Sequence, residues 1–174
     1  MLPYGRQSIN DADIEAVAEV LRGDWLTTGP FVARFEEALA QYTGAKRVVS
    51  CTSGTAALHI AYAAAGVGPG DEVITTPMTF VATASGALAC GAKVQFADID
   101  ETANIAPDAV EALVNSNTRV VAGVDYAGQP VEIDRLNAIA HGTGAITVED
   151  AAHSIGSHIG ERPVGSVADI TTFS

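Results

Sequence analysis

From Arg47 onward the chain alternates short runs of β-branched residues with alanine-rich stretches, and few folds accept that rhythm. Candidate strands fall at residues 47–51, 72–76, 93–97, 119–124 and 145–148, with a last one at 169–173; candidate helices open near Thr55, Val81, Pro107 and Ile133. Most of these strand segments lack polar alternation, the pattern of a sheet covered on both faces. Repeated strand–helix steps then predict a largely parallel sheet with right-handed crossovers, an α/β architecture. Two helices precede it. Asn10, followed by Asp11 and Asp13, reads as the N-cap of a helix whose Ile14, Val17, Val20 and Leu21 share a face. Pro30 opens a second helix, marked by Val32, Phe35, Leu39 and Tyr42 and stopped at Gly44. The stretch 155–165, punctuated by glycines, reads as a loop or hairpin before the last strand.

At 174 residues the chain has about the size of one domain. Nine basic residues against 21 acidic ones give a net charge of -12, which repels nucleic acid and anionic membranes at long range. Any phosphate bound here must therefore be held by local donors. Cys51 and Cys90 lack metal-ligand spacing and read as buried free thiols of a reducing cytoplasm, and His153 and His158 have no further ligands at metal spacing. No apolar run reaches membrane-spanning length, and Met1-Leu2-Pro3-Tyr4-Gly5-Arg6 contains no apolar signal segment. The expectation is a soluble, cytoplasmic protein with neither nucleic-acid nor membrane partners and no metal.

In an open α/β sheet, ligands sit outside the carboxyl ends of the strands, so residues at those ends are the candidates for chemistry. Ser53-Gly54-Thr55 follows one strand and opens a helix, where free N–H groups and the positive dipole end attract an anion. The same small residues would also serve as a plain N-cap. Asp150 ends another strand, in Val148-Glu149-Asp150-Ala151-Ala152-His153. There a carboxylate is costly to desolvate unless it is paired, although it could simply cap the next turn. A pyridinium partner at about 3 Å, at an effective dielectric near 20, would contribute roughly 5 kcal/mol of attraction before desolvation. Phe80, after a third strand, could lie over an aromatic ring or belong to the core.

Taken in order, Thr27-Thr28-Gly29-Pro30, Thr52-Ser53-Gly54-Thr55-Ala56-Ala57-Leu58, Pro77-Met78-Thr79-Phe80-Val81-Ala82-Thr83, Glu149-Asp150-Ala151-Ala152-His153 and Thr172-Phe173-Ser174 resemble the pyridoxal-phosphate-dependent nucleotide-sugar aminotransferases of the DegT/StrS type. The opening Leu2-Pro3-Tyr4-Gly5-Arg6-Gln7-Ser8-Ile9 is most similar to the branch that aminates UDP-linked 4-keto-6-deoxy-N-acetylhexosamines. The resemblance implies a three-layer α/β fold with a mostly parallel sheet, that of the aspartate aminotransferase (fold type I) large domain, here incomplete. Residues 1–30 would form an N-terminal helix and active-site loop, residues 31–174 the first part of the cofactor-binding large domain, and the small C-terminal domain would be absent.

By the same resemblance Gly54 and Thr55, with Ser53 beside them and Ser174 as a further donor, would hold the phosphate of pyridoxal 5'-phosphate. Phe80 would stack on one face of the ring and Ala152 would pack on the other. Asp150 would pair with the ring nitrogen and His153 would stand near the phenolic oxygen, which makes these two the catalytic candidates; Thr28 would lie near the substrate. An amino donor such as glutamate, a nucleotide-sugar acceptor and a homodimer are implied as well. The Schiff-base lysine of such enzymes would follow Ser174 by about five positions, and neither Lys46 nor Lys93 stands at the right end of its strand. The isolated chain is accordingly expected to be inactive. Two other readings stay open: a sugar dehydratase of the same family, with histidine at the lysine position, and a non-enzymatic nucleotide-binding α/β module. Against the latter, the turn after residue 51 is neither G-x-G-x-x-G nor a P-loop.

Overall fold

The computed structural model describes residues 7–174, so the Leu2-Pro3-Tyr4-Gly5-Arg6 part of the opening motif lies outside the described residues. Five strands form the central sheet: β1 (Glu72–Thr75), β2 (Lys93–Phe96), β3 (Thr118–Val124), β4 (Ile146–Asp150) and β7 (Ile170–Thr172). Their spatial order is β2-β1-β3-β4-β7 and every pairing is parallel. The expected hairpin is present as β5 (His158–Ile159) and β6 (Arg162–Pro163), paired antiparallel.

Alternation along the strands sorts the side chains into two cores. On one face Val73, Val120, Ala122 and Val148 pack against Leu58, Ala61 and Tyr62 of α3 (Gly54–Ala64) and Ala82 and Ala87 of α4 (Ala82–Ala89). On the other, Ile74 and Val121 meet Val110 of α5 (Pro107–Leu113) and Ile133, Leu136 and Ala140 of α6 (Ile133–Thr143). Helix, sheet and helix make the three layers. β3, in the middle of the sheet, is buried at every position but Arg119, which explains its nearly unbroken apolar sequence.

Residues 47–51 depart from the sequence expectation: they join no ladder, and Cys51 is exposed rather than a buried thiol. A strand needs a neighbour for its N–H and C=O groups, and none lies alongside among the described residues. Ser50 instead donates its N–H and hydroxyl to Glu36 Oε1, at 2.7 and 2.8 Å, which ties the segment to α2 (Pro30–Thr43) and holds the Glu36 carboxyl below its usual range. The neighbouring Val49 is 79% exposed. β4 departs in the other direction. It runs on to Asp150, two residues past the expected end, so that Glu149 and Asp150 are ladder residues.

The N-terminal helices follow the sequence signals. Asn10 Oδ1 accepts the N–H groups of Ala12 and Asp13, and Asp13 returns the bond to the Asn10 N–H, a complete capping box at the start of α1 (Asp11–Arg22). α1 nevertheless buries no residue, and Ile14, Val17 and Leu21 are exposed.

Glu149 points to the α5–α6 face and is fully buried. Its Oε2 accepts the Thr171 hydroxyl at 3.1 Å, whereas Oε1 has no partner among the described residues. Burial, and after it the nearby Asp125 carboxylate, push the Glu149 carboxyl from 4.5 up to about 7. The folded state therefore binds this proton more tightly than the unfolded chain does. The stabilisation is complete below about pH 4.5 and disappears as pH rises through about 7, about 3 kcal/mol for a shift of this size. Urea melts across this window are expected to show the wild type weakening as pH rises and Glu149→Gln nearly flat; equal slopes for the two would contradict the assignment.

Candidate active site

Because all five strands run the same way, their carboxyl ends share one edge, and the loops that follow them converge there. Asp150 closes β4 on that edge, in register with Val124 of β3 and Thr172 of β7. Sharing a face with Val148, it points toward α3 and α4 and is 6% exposed. Its Oδ2 accepts the Thr83 hydroxyl at 2.6 Å, and its Oδ1 receives only a long bond from the Ala152 N–H at 3.4 Å. None of the ion pairs among the described residues includes it. A buried carboxylate with one hydroxyl donor and no cation is an incomplete pair.

Thr83 is fully buried in the first turn of α4 and is anchored on several sides. Its hydroxyl lies 2.7 Å from that of Thr79, its N–H donates to the Phe80 carbonyl at 3.2 Å, and its own carbonyl accepts the Tyr62 hydroxyl at 2.8 Å. Tyr62 comes from α3 and is also fully buried. Burial, and then the Asp150 charge, raise its ionisation far above the ordinary tyrosine range, so it remains a neutral donor.

At the start of α3, Ser53 is the N-cap: its hydroxyl oxygen accepts the Ala56 N–H at 3.2 Å. The N–H groups of Gly54 and Thr55 have no acceptor among the described residues. Ser174, two residues past β7, closes over them. A Cβ added to Gly54 would lie 2.8 Å from the Ser174 Cβ and 2.9 Å from its Oγ, so only glycine lets the two segments touch. Free N–H groups, the Thr55 and Ser174 hydroxyls and the positive end of an 11-residue helix together offer an anion cradle, on the face of the sheet that Asp150 occupies.

The remaining sequence candidates take different positions. Phe80, in the loop between β1 and α4, is 72% exposed and so is not a core residue. Ala152 is half-buried two residues after Asp150, and His153 is exposed with no side-chain hydrogen bond among the described residues. Thr28 is not brought to the cluster by any hydrogen bond among the described residues. Its hydroxyl donates to the Thr27 carbonyl at 2.6 Å, its φ of 55° is left-handed, and the turn it belongs to folds against Trp25. Thr79, Thr83 and Tyr62 carried no assignment in the sequence reading. The four-residue spacing of the two threonines at a helix start is the one signal that could have drawn attention to them.

The candidate site lies on a ledge along the carboxyl edge of the sheet; two concavities lie elsewhere, about 360 Å³ beside Glu36, Lys46 and Val49 and about 350 Å³ beside Ile9, Ile14 and Val17. Among the described residues there is no cluster of three or more metal-ligating side chains, and no helix is long and apolar enough to cross a membrane.

Comparison with known proteins agrees with this layout. The spore coat polysaccharide biosynthesis protein SpsC of Bacillus subtilis is 44% identical over 99% of this chain and 45% of its own length. A UDP-4-amino-4,6-dideoxy-N-acetyl-beta-L-altrosamine transaminase of Campylobacter jejuni is 41% identical over 100% of this chain and 47% of its own. The chain thus spans about half the length of these curated relatives. Among solved structures, a putative sugar aminotransferase of Streptococcus pneumoniae in its PLP form superimposes with a TM-score of 0.94 at 33% identity, covering 99% of this chain and 48% of that one. The three-layer α/β fold is that of such aminotransferases. Residues 7–174 match the DegT/DnrJ/EryC1/StrS aminotransferase signature, and the chain belongs to that family.

Proposed function

We propose that this chain provides the cofactor platform of a pyridoxal-phosphate-dependent sugar aminotransferase. The intact protein would transfer an amino group, from a donor such as glutamate, to a UDP-linked 4-keto-6-deoxy-N-acetylhexosamine. The observation that carries the reading is Asp150, buried with one hydroxyl donor and no cation, on the same sheet face as an anion cradle. One ligand with a cationic ring and a phosphate tail answers both. The Campylobacter relative supports the choice of acceptor, since its name specifies a UDP-linked amino sugar.

In this reading pyridoxal phosphate supplies the electron sink that lets an amino group leave one carbon and be installed on another. Gly54 and Thr55 donate N–H groups to the phosphate, with the Ser53, Thr55 and Ser174 hydroxyls beside them. Asp150 holds a proton on the ring nitrogen through its negative charge. Phe80 covers one ring face and Ala152 limits the other, while His153 stands at the rim near the phenolic oxygen. Thr28 belongs to the substrate side, and α1 with the loop after it serves as the N-terminal helix and active-site loop of residues 1–30, ahead of the large domain begun by residues 31–174. Lys93 opens β2 at the opposite edge of the sheet, and Lys46 lines a separate concavity with Glu36, so neither is placed to serve as the proton-transferring lysine. The exposed Ile60, Val81 and Leu88 are suited to cover by the rest of the enzyme or by a second subunit, and a cytoplasmic homodimer is the assembly we infer.

Two measurements on the full-length protein test this. Absorbance titration is expected to show saturable binding of pyridoxal phosphate and none of ATP or NAD; binding of a nucleotide instead would favour the regulatory module, and a sugar product lacking nitrogen would favour the dehydratase. Asp150→Asn should weaken cofactor binding by about 30-fold or more, since removing one member of a buried charge pair costs at least about 2 kcal/mol. Gly54→Ala, whose new methyl would displace Ser174, should weaken binding about tenfold while leaving the far-ultraviolet circular dichroism unchanged. Unaltered affinity in both variants would remove the cofactor from this ledge.

A further inference from the structure

A carboxylate on a strand end can present either oxygen, and the cofactor role alone does not decide which. We propose that Thr83 is the positioning residue for Asp150: with Thr79 behind it, its hydroxyl pins Oδ2 and leaves Oδ1 to meet the ring nitrogen of pyridoxal phosphate. This rests on the reading of Asp150 as that nitrogen's partner.

The direction of the hydrogen bonds follows from proton counting. A hydroxyl carries one proton. Asp150 accepts at 2.6 Å, so the Thr83 proton is committed to Oδ2, and the 2.7 Å contact with Thr79 must then be a bond that Thr79 donates. The relay runs one way, Thr79 to Thr83 to Asp150. Threonines in helices commonly turn back to bond the carbonyl four residues earlier, yet the Thr83 hydroxyl faces the carboxylate instead. Its backbone is held from both sides, by the N–H bond to the Phe80 carbonyl and by the Tyr62 hydroxyl on its own carbonyl. The side chain is fully buried, so no water competes for the bond. Oδ1, by contrast, has only the 3.4 Å contact with the Ala152 N–H and is the oxygen with capacity to spare.

Two donated hydroxyl protons in series stabilise the carboxylate as an anion. This matters for the ring nitrogen because a less stabilised carboxylate would compete for the shared proton. Thr83 therefore acts twice in the same direction, by aiming Oδ1 and by leaving the proton on the ring.

The test uses the full-length protein as wild type, Thr83→Val, Thr83→Ser and Thr79→Val, each loaded with pyridoxal phosphate carrying nitrogen-15 in the ring. Two quantities are read: the cofactor dissociation constant, and the pH at which the ring-nitrogen resonance loses its protonated signature. Thr83→Val is expected to bind about tenfold more weakly and to lose the ring proton about one pH unit lower. Thr83→Ser, which keeps the hydroxyl, should restore both values, and Thr79→Val should move both in the same direction by about threefold in affinity. If Thr83→Val fails to fold, Thr79→Val carries the comparison. The relay is overturned if the wild type binds and the valine variants match it in both readings, or if Thr83→Ser is no better than Thr83→Val. A wild type that takes up no pyridoxal phosphate would defeat the cofactor reading first and this proposal with it, an outcome distinct from normal uptake with unchanged variants.

Discussion

A negative charge buried at the end of β4 is the constraint around which this half of the sheet is built. Left alone, a buried carboxylate costs several kcal/mol. Hydrogen bonds to a charged group return about 1.5–3 kcal/mol each, and Asp150 has one short bond and one long one. That balance leaves a deficit which a cation would close, and the described residues place none there. The deficit is thus a binding preference written into the fold. It would favour a ligand with positive charge at one end, and the free Gly54 and Thr55 N–H groups at the start of α3 would favour negative charge at the other.

The adjacent residue shows the alternative solution to the same problem. Glu149 points to the opposite face, beside Asp125 and a single hydroxyl donor, and it takes up a proton rather than a partner. Asp125 is itself engaged, accepting the Ser154 hydroxyl and the Val131 N–H, which joins the turn after β3 to the turn after β4. Neighbouring positions on β4 therefore hold two carboxyl groups with different environments, Glu149 held in the core on the Asp125 side and Asp150 facing the ledge. The separation is possible only because strand alternation puts a whole sheet thickness between them.

Much of this was legible in the sequence. Runs rich in β-branched residues located β1, β2 and β3, and the Asn10, Pro30 and Gly44 signals located α1 and α2, because these features depend on local chemistry alone. Residues 47–51 have the same local chemistry but no neighbour to pair with, and pairing is not a local property. The last two residues of β4 failed for the opposite reason: Glu149 and Asp150 look like a polar loop, and tertiary contacts alone make them strand. Of the candidate site, the small-residue turn at Ser53-Gly54-Thr55 and the charge of Asp150 could be located from the sequence but not given a role, because the same residues also serve as plain caps. Thr83 could not be located, since a threonine in an alanine-rich helix start has many uses. Phe80 could be named but not oriented; its exposure is a fact of packing.

The two ends of the ledge belong to different elements, and something must fix the span between them. Parallel strand pairing does part of this, by holding Asp150 and Thr172 in register and so setting Ser174 against Gly54. The rest falls to one contact between helices. Tyr62 lies two turns along α3 from the anion cradle, and its hydroxyl fixes the carbonyl of Thr83, whose own hydroxyl holds Asp150. A shift of α3 relative to α4 would therefore move the cradle and loosen the carboxylate together. Gly86 shows how little room is left for such a shift: a Cβ there would sit 3.2 Å from the Tyr62 ring. Close helix packing, made possible by small residues on α4, is what turns two separate polar sites into one site of fixed length.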